Sequence, residues 1–317
     1  MTERWFLLNY STFIQQITKE IKGRVGESAR VRVDPILKIN LPVLDGMTIL
    51  LPGENTSPTI YLNSYYQEYL EGSSLSVIAE EILTFYREHR RACSFDLSFL
   101  SDFEQMKDQI VCRLINYEKN RSLLKSVPHR CFLDLAIVYY FQTENPPFGK
   151  SSLLVQTSHI ERWGISADLL HTTAIRNTRR LCPFQITTLA RLLENTLEDA
   201  LKGTPEDTLA IPLFWFGHGH TPMYILTNKD MCYGAINMIF DDILYTAADQ
   251  LESDFYILPS SIHECLLLPV TAWEDSESSK LQEIVSEINR DYVDSTEVLG
   301  DHIYRYTRDR HELRFEV

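Results

Sequence analysis

The chain is organised around the segment FYILPSSIHECLLLPV (Phe255–Val270). It contains two short apolar runs, Phe255–Leu258 and Cys265–Leu268, separated by a Pro-Ser-Ser turn and a His-Glu pair. Each run has the length of a strand and does not alternate with polar residues, which is typical of strands that are covered on both faces. The pattern therefore predicts two central strands of one sheet.

The segments on either side predict further strands and helices. Strands are predicted at Met223–Asn228 and His302–Tyr306, where β-branched and aromatic residues are concentrated. Helical spacing of apolar residues occurs between the strands, at Ile236, Ile239, Phe240, Ile243, Leu244, Ala247, Ala248 and Leu251 and again at Leu281, Ile284, Val285 and Ile288. The order strand, helix, strand, strand, helix, strand is that of a ferredoxin-like (βαββαβ) unit. We expect an antiparallel sheet with both helices on one face.

The chain length and two predicted helix ends, one of them followed by a linker-like segment, predict three domains. A chain of 317 residues exceeds what one hydrophobic core usually organises. One helical pattern ends in the charged segment Glu88–Arg91, and another ends at Gly203, before a linker-like Thr-Pro-Glu-Asp segment. The predicted domains are an N-terminal αβ unit (1–92), a middle mixed αβ unit (93–204) and the C-terminal ferredoxin-like unit (205–317). The predicted fold class is α+β, with mixed and antiparallel sheets.

Composition and charge favour a soluble cytoplasmic protein. The formal net charge of -14 disfavours nucleic acid and anionic membranes as partners, because both require clustered lysine and arginine. The apolar run near the N-terminus is shorter than a signal peptide requires, and no apolar stretch has the length of a membrane span. The six cysteines are widely spaced without a CxxC pair, which predicts reduced thiols.

The motifs of common cofactor sites are incomplete. Gly149-Lys150-Ser151 resembles the end of a phosphate-binding loop, but Glu144 stands where the first glycine is required, and two prolines remove backbone amides. Gly217-x-Gly219 lacks the third glycine of a dinucleotide loop, because Pro222 occupies that position. We therefore predict no cofactor.

One histidine cluster is a candidate for metal chemistry. His218 and His220 are two residues apart, so their side chains point the same way in an extended segment, and His263 with Glu264 opens a later strand. Three imidazoles and a carboxylate suit zinc or another first-row metal. The alternative is that the glycine-flanked histidines lie in a solvent-exposed loop, because the sequence does not show that the two segments meet.

Five polar residues are candidate binding residues: Ser260, Ser261, His263, Glu264 and Asn177. Ser260 and Ser261 beside His263 could be nucleophiles. The favoured interpretation is that they form a turn in which their hydroxyls hydrogen-bond to backbone amides at the strand ends. Asn177 lies on the apolar stripe of a helix, where a buried amide must find hydrogen-bond partners. We expect Asn177 to tie its helix to a neighbouring backbone, with a ligand contact as the alternative.

Several phrases of the chain resemble an uncharacterised bacterial domain-of-unknown-function family. They are LDGMTILLPGENTSPTIYLN near the N-terminus and FLDLAIVYYF, AIRNTRRLCP, MYILTNKD, FYILPSSIHE and HIYRYTRD from Cys131 onward. More loosely, the second half is similar to the YtpQ-type family. The resemblance implies a soluble intracellular bacterial protein with a shared fold, and it supplies no catalytic residues.

Two functions follow as hypotheses. The leading hypothesis is a non-enzymatic binding or regulatory module for a protein or a small molecule, because the chain is acidic and aromatic-rich without a complete catalytic motif. The alternative is a metal-dependent hydrolase that uses His218, His220, His263 and Glu264. The sequence leaves the ligand and the oligomeric state open.

Overall fold

The computed structural model of the chain divides into two compact units, Met1–Ser98 and Phe99–Val317. It describes residues 8–91, 94, 96–143, 151–188, 191, 223–272, 278–291 and 293–316. Helices and antiparallel sheets occur in both units, which confirms the α+β class. Within the described ranges, no helix combines the length and the apolar character needed to cross a membrane.

The N-terminal unit packs helices against a three-stranded antiparallel sheet. Its elements are α1 (Tyr10–Val25), β1 (Arg30–Ile36), β2 (Leu44–Leu50), β3 (Ile60–Tyr61), α2 (Leu62–Leu70) and α3 (Leu75–His89), with strand order β1-β2-β3. Phe13, Ile17 and Ile21 repeat every four residues, so they lie on one face of α1, and all three are fully buried. The side chains of Asn9 and Ser74 cap α1 and α3 by accepting hydrogen bonds from backbone amides.

The second unit begins with a four-stranded antiparallel sheet. Its elements are α4 (Phe103–Met106), β4 (Ile110–Asn116), α5 (Arg121–Leu124), β5 (His129–Phe132), β6 (Leu135–Thr143), β7 (Ser151–Leu154), α6 (Thr157–Trp163) and α7 (Ala167–Leu181). Strand β6 pairs with β4, β5 and β7. Helix α7 packs on β4, and the Thr178 hydroxyl accepts a 2.8 Å hydrogen bond from the backbone amide of Cys112.

A six-stranded antiparallel sheet completes the second unit. Its strands are β8 (Phe184–Thr188), β9 (Tyr224–Asn228), β10 (Phe255–Leu258), β11 (Cys265–Pro269), β12 (Tyr304–Thr307) and β13 (Glu312–Phe315), and its helices are α8 (Asp241–Leu251) and α9 (Ser278–Asp291). The spatial order is β13-β12-β10-β11-β9-β8. Every residue of β10 and β11 is buried, which confirms that both are central strands.

The strand order differs from the predicted ferredoxin-like unit. That topology would place the last strand of the motif, β12, beside the first, β9, whereas β12 pairs with β10. The two helices also lie on opposite faces of the sheet, where the sequence predicted one face. Helix α8 packs with Ile257 and Leu267, and α9 packs with Tyr256 and Leu268. Two covered faces explain why the apolar runs do not alternate with polar residues.

The two sheets of the second unit share one hydrophobic core. Side chains of β4, β6 and α7 belong to the same buried cluster as those of β10, β11 and α8. Strand β8, which falls within the predicted middle domain (93–204), pairs with β9 of the predicted C-terminal domain (205–317). Residues 99–317 therefore form one compact unit where the sequence predicted two. The predicted boundary at 204/205 lies outside the described residues, and the predicted boundary after residue 92 lies close to the observed division after Ser98.

Replacing Leu267 by Ala tests the central position of β11. Leu267 and its pairing partner Ile257 are fully buried, so removal of the isobutyl group leaves a cavity that should lower the free energy of unfolding by about 2–5 kcal/mol. Urea denaturation gives this value. The matched control is Leu169→Ala, because Leu169 is 47% exposed on α7 and its loss should change stability by less than about 0.5 kcal/mol. Equal stability of the two variants would contradict the assignment.

Candidate functional site

His263 lies just before β11 and anchors the loop that follows β9. Its carbonyl oxygen accepts hydrogen bonds from the backbone amide of Gly234 at 2.8 Å and from the Thr227 hydroxyl at 2.9 Å. Its Nδ1 atom lies 3.1 Å from the backbone nitrogen of Tyr233. A backbone amide only donates, so Nδ1 is the acceptor, and neutral His263 carries its proton on Nε2. That nitrogen lies 3.3 Å from the carboxylate of Glu297.

The loop from Asn228 to Gly234 is held at both ends. The Asn228 amide group donates to the carbonyl oxygen of Cys232 at 2.7 Å and accepts from the Cys232 backbone amide at 3.2 Å. Gly234 passes so close to β9 that an added Cβ would lie 2.4 Å from Thr227 Oγ1 and 2.5 Å from the Asn228 backbone nitrogen. Only glycine fits there. Tyr233 itself adopts a left-handed backbone conformation (φ 56°), which these contacts stabilise.

The fixed loop places the Tyr233 ring on the guanidinium group of Arg113. The Cζ atom of Arg113 lies 3.5 Å from the Tyr233 ring centroid and 4.0 Å from the Tyr140 ring centroid. Arg113 belongs to β4, and Tyr140 belongs to the adjacent strand β6. Arg113 is only 7% exposed, and within the described part of the chain no carboxylate forms an ion pair with it. Two aromatic rings therefore contact a buried cation.

The Arg113 side chain lines a cavity of about 590 Å³ at the junction of the two sheets, named here the Arg113 cavity. Its described walls come from β4, β6, β7, the end of α7 and the loop after β9: Gln109, Arg113, Gln142, Thr143, Ser151, Ser152, Leu181, Cys182, Asn228, Asp230, Cys232 and Tyr233. Burial, reinforced by Asp230 and only partly opposed by Arg113, raises the pKa of the Cys182 thiol. The thiol therefore stays protonated at neutral pH and is a poor nucleophile.

The structure brings Ser261, His263 and Glu264 together. The Ser261 hydroxyl accepts a 3.0 Å hydrogen bond from the His263 backbone amide, and Ser260 accepts from the Leu299 amide through its carbonyl oxygen at 3.2 Å. Both serines are buried and belong to a segment that pairs with residues 297–300. The serines therefore continue the backbone pairing beyond β10. Burial raises the pKa of the Glu264 carboxyl to about 7, and the nearby Glu297 carboxylate adds to the shift.

Asn177 is separate from this group. Its side-chain nitrogen donates to the carbonyl oxygens of Lys107 at 2.6 Å and Ile110 at 2.9 Å, so it ties α7 to the start of β4, as expected from the sequence. His218 and His220 lie outside the described residues. Within the described ranges, no cluster of three or more His, Cys, Asp or Glu side chains has a metal-binding arrangement.

Sequence reasoning missed Arg113, Tyr140 and Tyr233. The signal for Arg113 is visible in the segment Ile110–Asn116, where one arginine interrupts an apolar strand. A charged residue in a buried strand requires a partner, so this pattern marks Arg113 as a candidate functional residue. The two tyrosines carry no comparable signal, because aromatic residues in and beside strands are ordinary core residues.

Comparison with known protein families assigns the chain to one family. The model of a family of unknown function, DUF5688, matches residues 10–308, which is almost the entire chain. The chain belongs to the DUF5688 family. This match confirms the resemblance to a domain-of-unknown-function family, while the YtpQ-type resemblance and a bacterial source are not confirmed. Comparisons with curated proteins and with solved structures gave no match.

The raised pKa of Glu264 predicts a stability that depends on pH. The folded state holds the Glu264 proton up to a pKa of about 7, whereas the unfolded chain releases it near 4.5. The stabilisation from this proton is therefore complete below pH 4.5 and is lost as the pH rises to about 7, by about 3 kcal/mol in total. Glu264→Gln should abolish this loss in urea titrations across the pH range.

The control for this measurement is Glu312→Gln, because Glu312 is exposed on β13. The Glu312→Gln variant should retain the pH dependence of the unsubstituted protein. If Glu264→Gln retains it as well, the carboxyl of Glu264 is not the group that holds the proton.

Proposed function

We propose that the chain is a non-enzymatic binding module that holds a small polar molecule in the Arg113 cavity. The observation that carries this proposal is the fixed position of the cavity wall. The loop after β9 is held by the backbone and ring of His263, by the Asn228 amide and by the close approach at Gly234. A cavity of about 590 Å³ falls in the size range of small-molecule sites, and its mostly polar described lining suits a polar molecule.

The side chains of the cavity support binding better than catalysis. Covalent catalysis requires a nucleophile beside a base, and the thiol of Cys182 is kept protonated by burial. Among the described lining residues, no histidine lies beside a serine or cysteine. The remaining polar groups are amides, hydroxyls, the Cys232 thiol, the Asp230 carboxylate and the Arg113 guanidinium, which can orient a ligand through hydrogen bonds.

We also propose that the protein acts in the bacterial cytoplasm, as the sequence resemblance implies. Among the described cysteines, Cys112, Cys131, Cys182, Cys232 and Cys265, there is no disulfide bond. Cys182 and Cys232 line one cavity as thiols, which suits a reducing compartment. The net charge of -14 supports a small molecule or a protein as the partner over nucleic acid or an anionic lipid surface.

The metal-dependent hydrolase remains a prediction from the sequence. In the described part of its cluster, Nδ1 of His263 accepts from Tyr233 and Nε2 faces Glu297, so coordination by His263 would displace one of these contacts. Metal analysis of the purified protein tests the alternative. Stoichiometric zinc that is lost in a His218→Ala, His220→Ala double variant would favour the hydrolase over the binding module.

Thiol alkylation tests the binding proposal on the intact chain. Cys182 and Cys232 line the Arg113 cavity, whereas Cys131 is exposed on β5 outside it. A small molecule bound in the cavity should slow the modification of Cys182 and Cys232 by iodoacetamide at alkaline pH, where the reactive thiolate forms, and should leave the rate at Cys131 unchanged, as measured by peptide mass spectrometry. The compounds should include neutral, anionic and cationic members. Equal slowing at all three cysteines, or no slowing with any compound, would overturn the proposal.

A further inference from the structure

We infer that Arg113 is the anchor for a carboxylate group of the ligand, an inference that rests on the proposed binding function. Burial removes most of the water that would solvate the guanidinium, and a buried charge requires compensation. Two more exposed arginines of the same unit pair with carboxylates: Arg179 with Asp242 at 2.8 Å and Arg305 with Asp254 at 3.4 Å. Arg113 contacts two aromatic rings and has no such carboxylate among the described residues.

The ring contacts fix the position of the Arg113 side chain. Its Cζ atom lies over both the Tyr140 ring and the Tyr233 ring, so the guanidinium group is held between strand β6 and the loop after β9. The N–H groups of a guanidinium form a planar fork, and a carboxylate accepts two parallel hydrogen bonds from such a fork. The aromatic rings hold the plane in place, which reduces the entropy lost when the ligand binds.

The charges of the cavity disfavour a doubly charged anion. Arg113 is the single cation and Asp230 the single anion among the described lining residues, so their formal charges cancel and the attraction for an anion comes from the guanidinium alone. A doubly charged phosphate would lack a second cation and would meet the negative potential of a chain with net charge -14. The remaining polar lining consists of neutral amides and hydroxyls, such as Gln142 and Ser152, which suit the uncharged part of a carboxylic acid.

The decisive variant is Arg113→Met. A buried arginine without a charged partner costs stability, and methionine fills a similar volume between the two tyrosine rings. The variant should therefore have a melting temperature equal to or above that of the unsubstituted protein. A residue with a purely structural role would give the opposite result, a lower melting temperature. A stability gain combined with a loss of anion binding is the signature of a binding residue.

Anion binding is measured with acetate, benzoate and inorganic phosphate, each compared with sodium chloride at equal ionic strength. Acetate or benzoate should raise the melting temperature of the full chain and slow alkylation of Cys182 and Cys232. Arg113→Met should weaken the apparent affinity by about 30-fold or more. Arg113→Lys should weaken it too, because lysine lacks the planar fork. The matched control Arg179→Gln removes another arginine stacked on an aromatic ring, at 4.3 Å from Phe240, and should leave the response unchanged.

Three outcomes would overturn the inference. If the anion response persists in Arg113→Met, the anion binds elsewhere. If phosphate has a stronger Arg113-dependent effect than acetate and benzoate, the ligand group at Arg113 is a phosphate and not a carboxylate. Protection of Cys182 and Cys232 by neutral compounds alone would refute the carboxylate and leave the binding function standing. Absence of protection by every class of compound would instead refute the binding function itself.

Discussion

Burial of β10 and β11 on both faces is the constraint on which the second unit depends. Successive residues of a strand point to opposite faces, so Ile257 and Leu267 pack toward α8, while Tyr256 and Leu268 pack toward α9. Strands without a polar face require apolar side chains packed against both faces. The sheet therefore places β12 and β9 outside them, with β13 and β8 beyond, and covers each face with a helix.

This arrangement gives His263 its structural role. Because β11 is central and pairs with β9, His263, two residues before β11, lies beside the end of β9. There its carbonyl oxygen and Nδ1 hold the Tyr233–Gly234 backbone, and Tyr233 reaches Arg113 on the other sheet. A continuous series of contacts thus runs from Glu297 through His263 and Tyr233 to Arg113. The Arg113 cavity belongs to both sheets together, so neither sheet would form it alone.

The buried guanidinium is the feature that a stability argument alone does not explain. An apolar residue in β4 would pack between the same tyrosines without the cost of desolvating a charge. Natural chains retain such costs at functional sites. For this member of a family of unknown function, the proposed ligand site rests on a costly buried charge beside a preorganised cavity.

The sequence by itself determined the α+β class, the two central strands, the helices around them and the role of Asn177, because these follow from local periodicity and from the hydrogen-bonding needs of a buried amide. It also singled out Ser261, His263 and Glu264, which lie together because they are neighbours in the chain. Tertiary structure alone decided the strand order, the placement of α8 and α9 on opposite faces and the single core of residues 99–317. Those features depend on which strand edges and faces pair over long sequence separations. The same local pattern of apolar residues is compatible with both the ferredoxin-like strand order and the observed one. The Arg113 cavity has the same origin, since Arg113, Tyr140 and Tyr233 come from separate segments that only the folded backbone brings together.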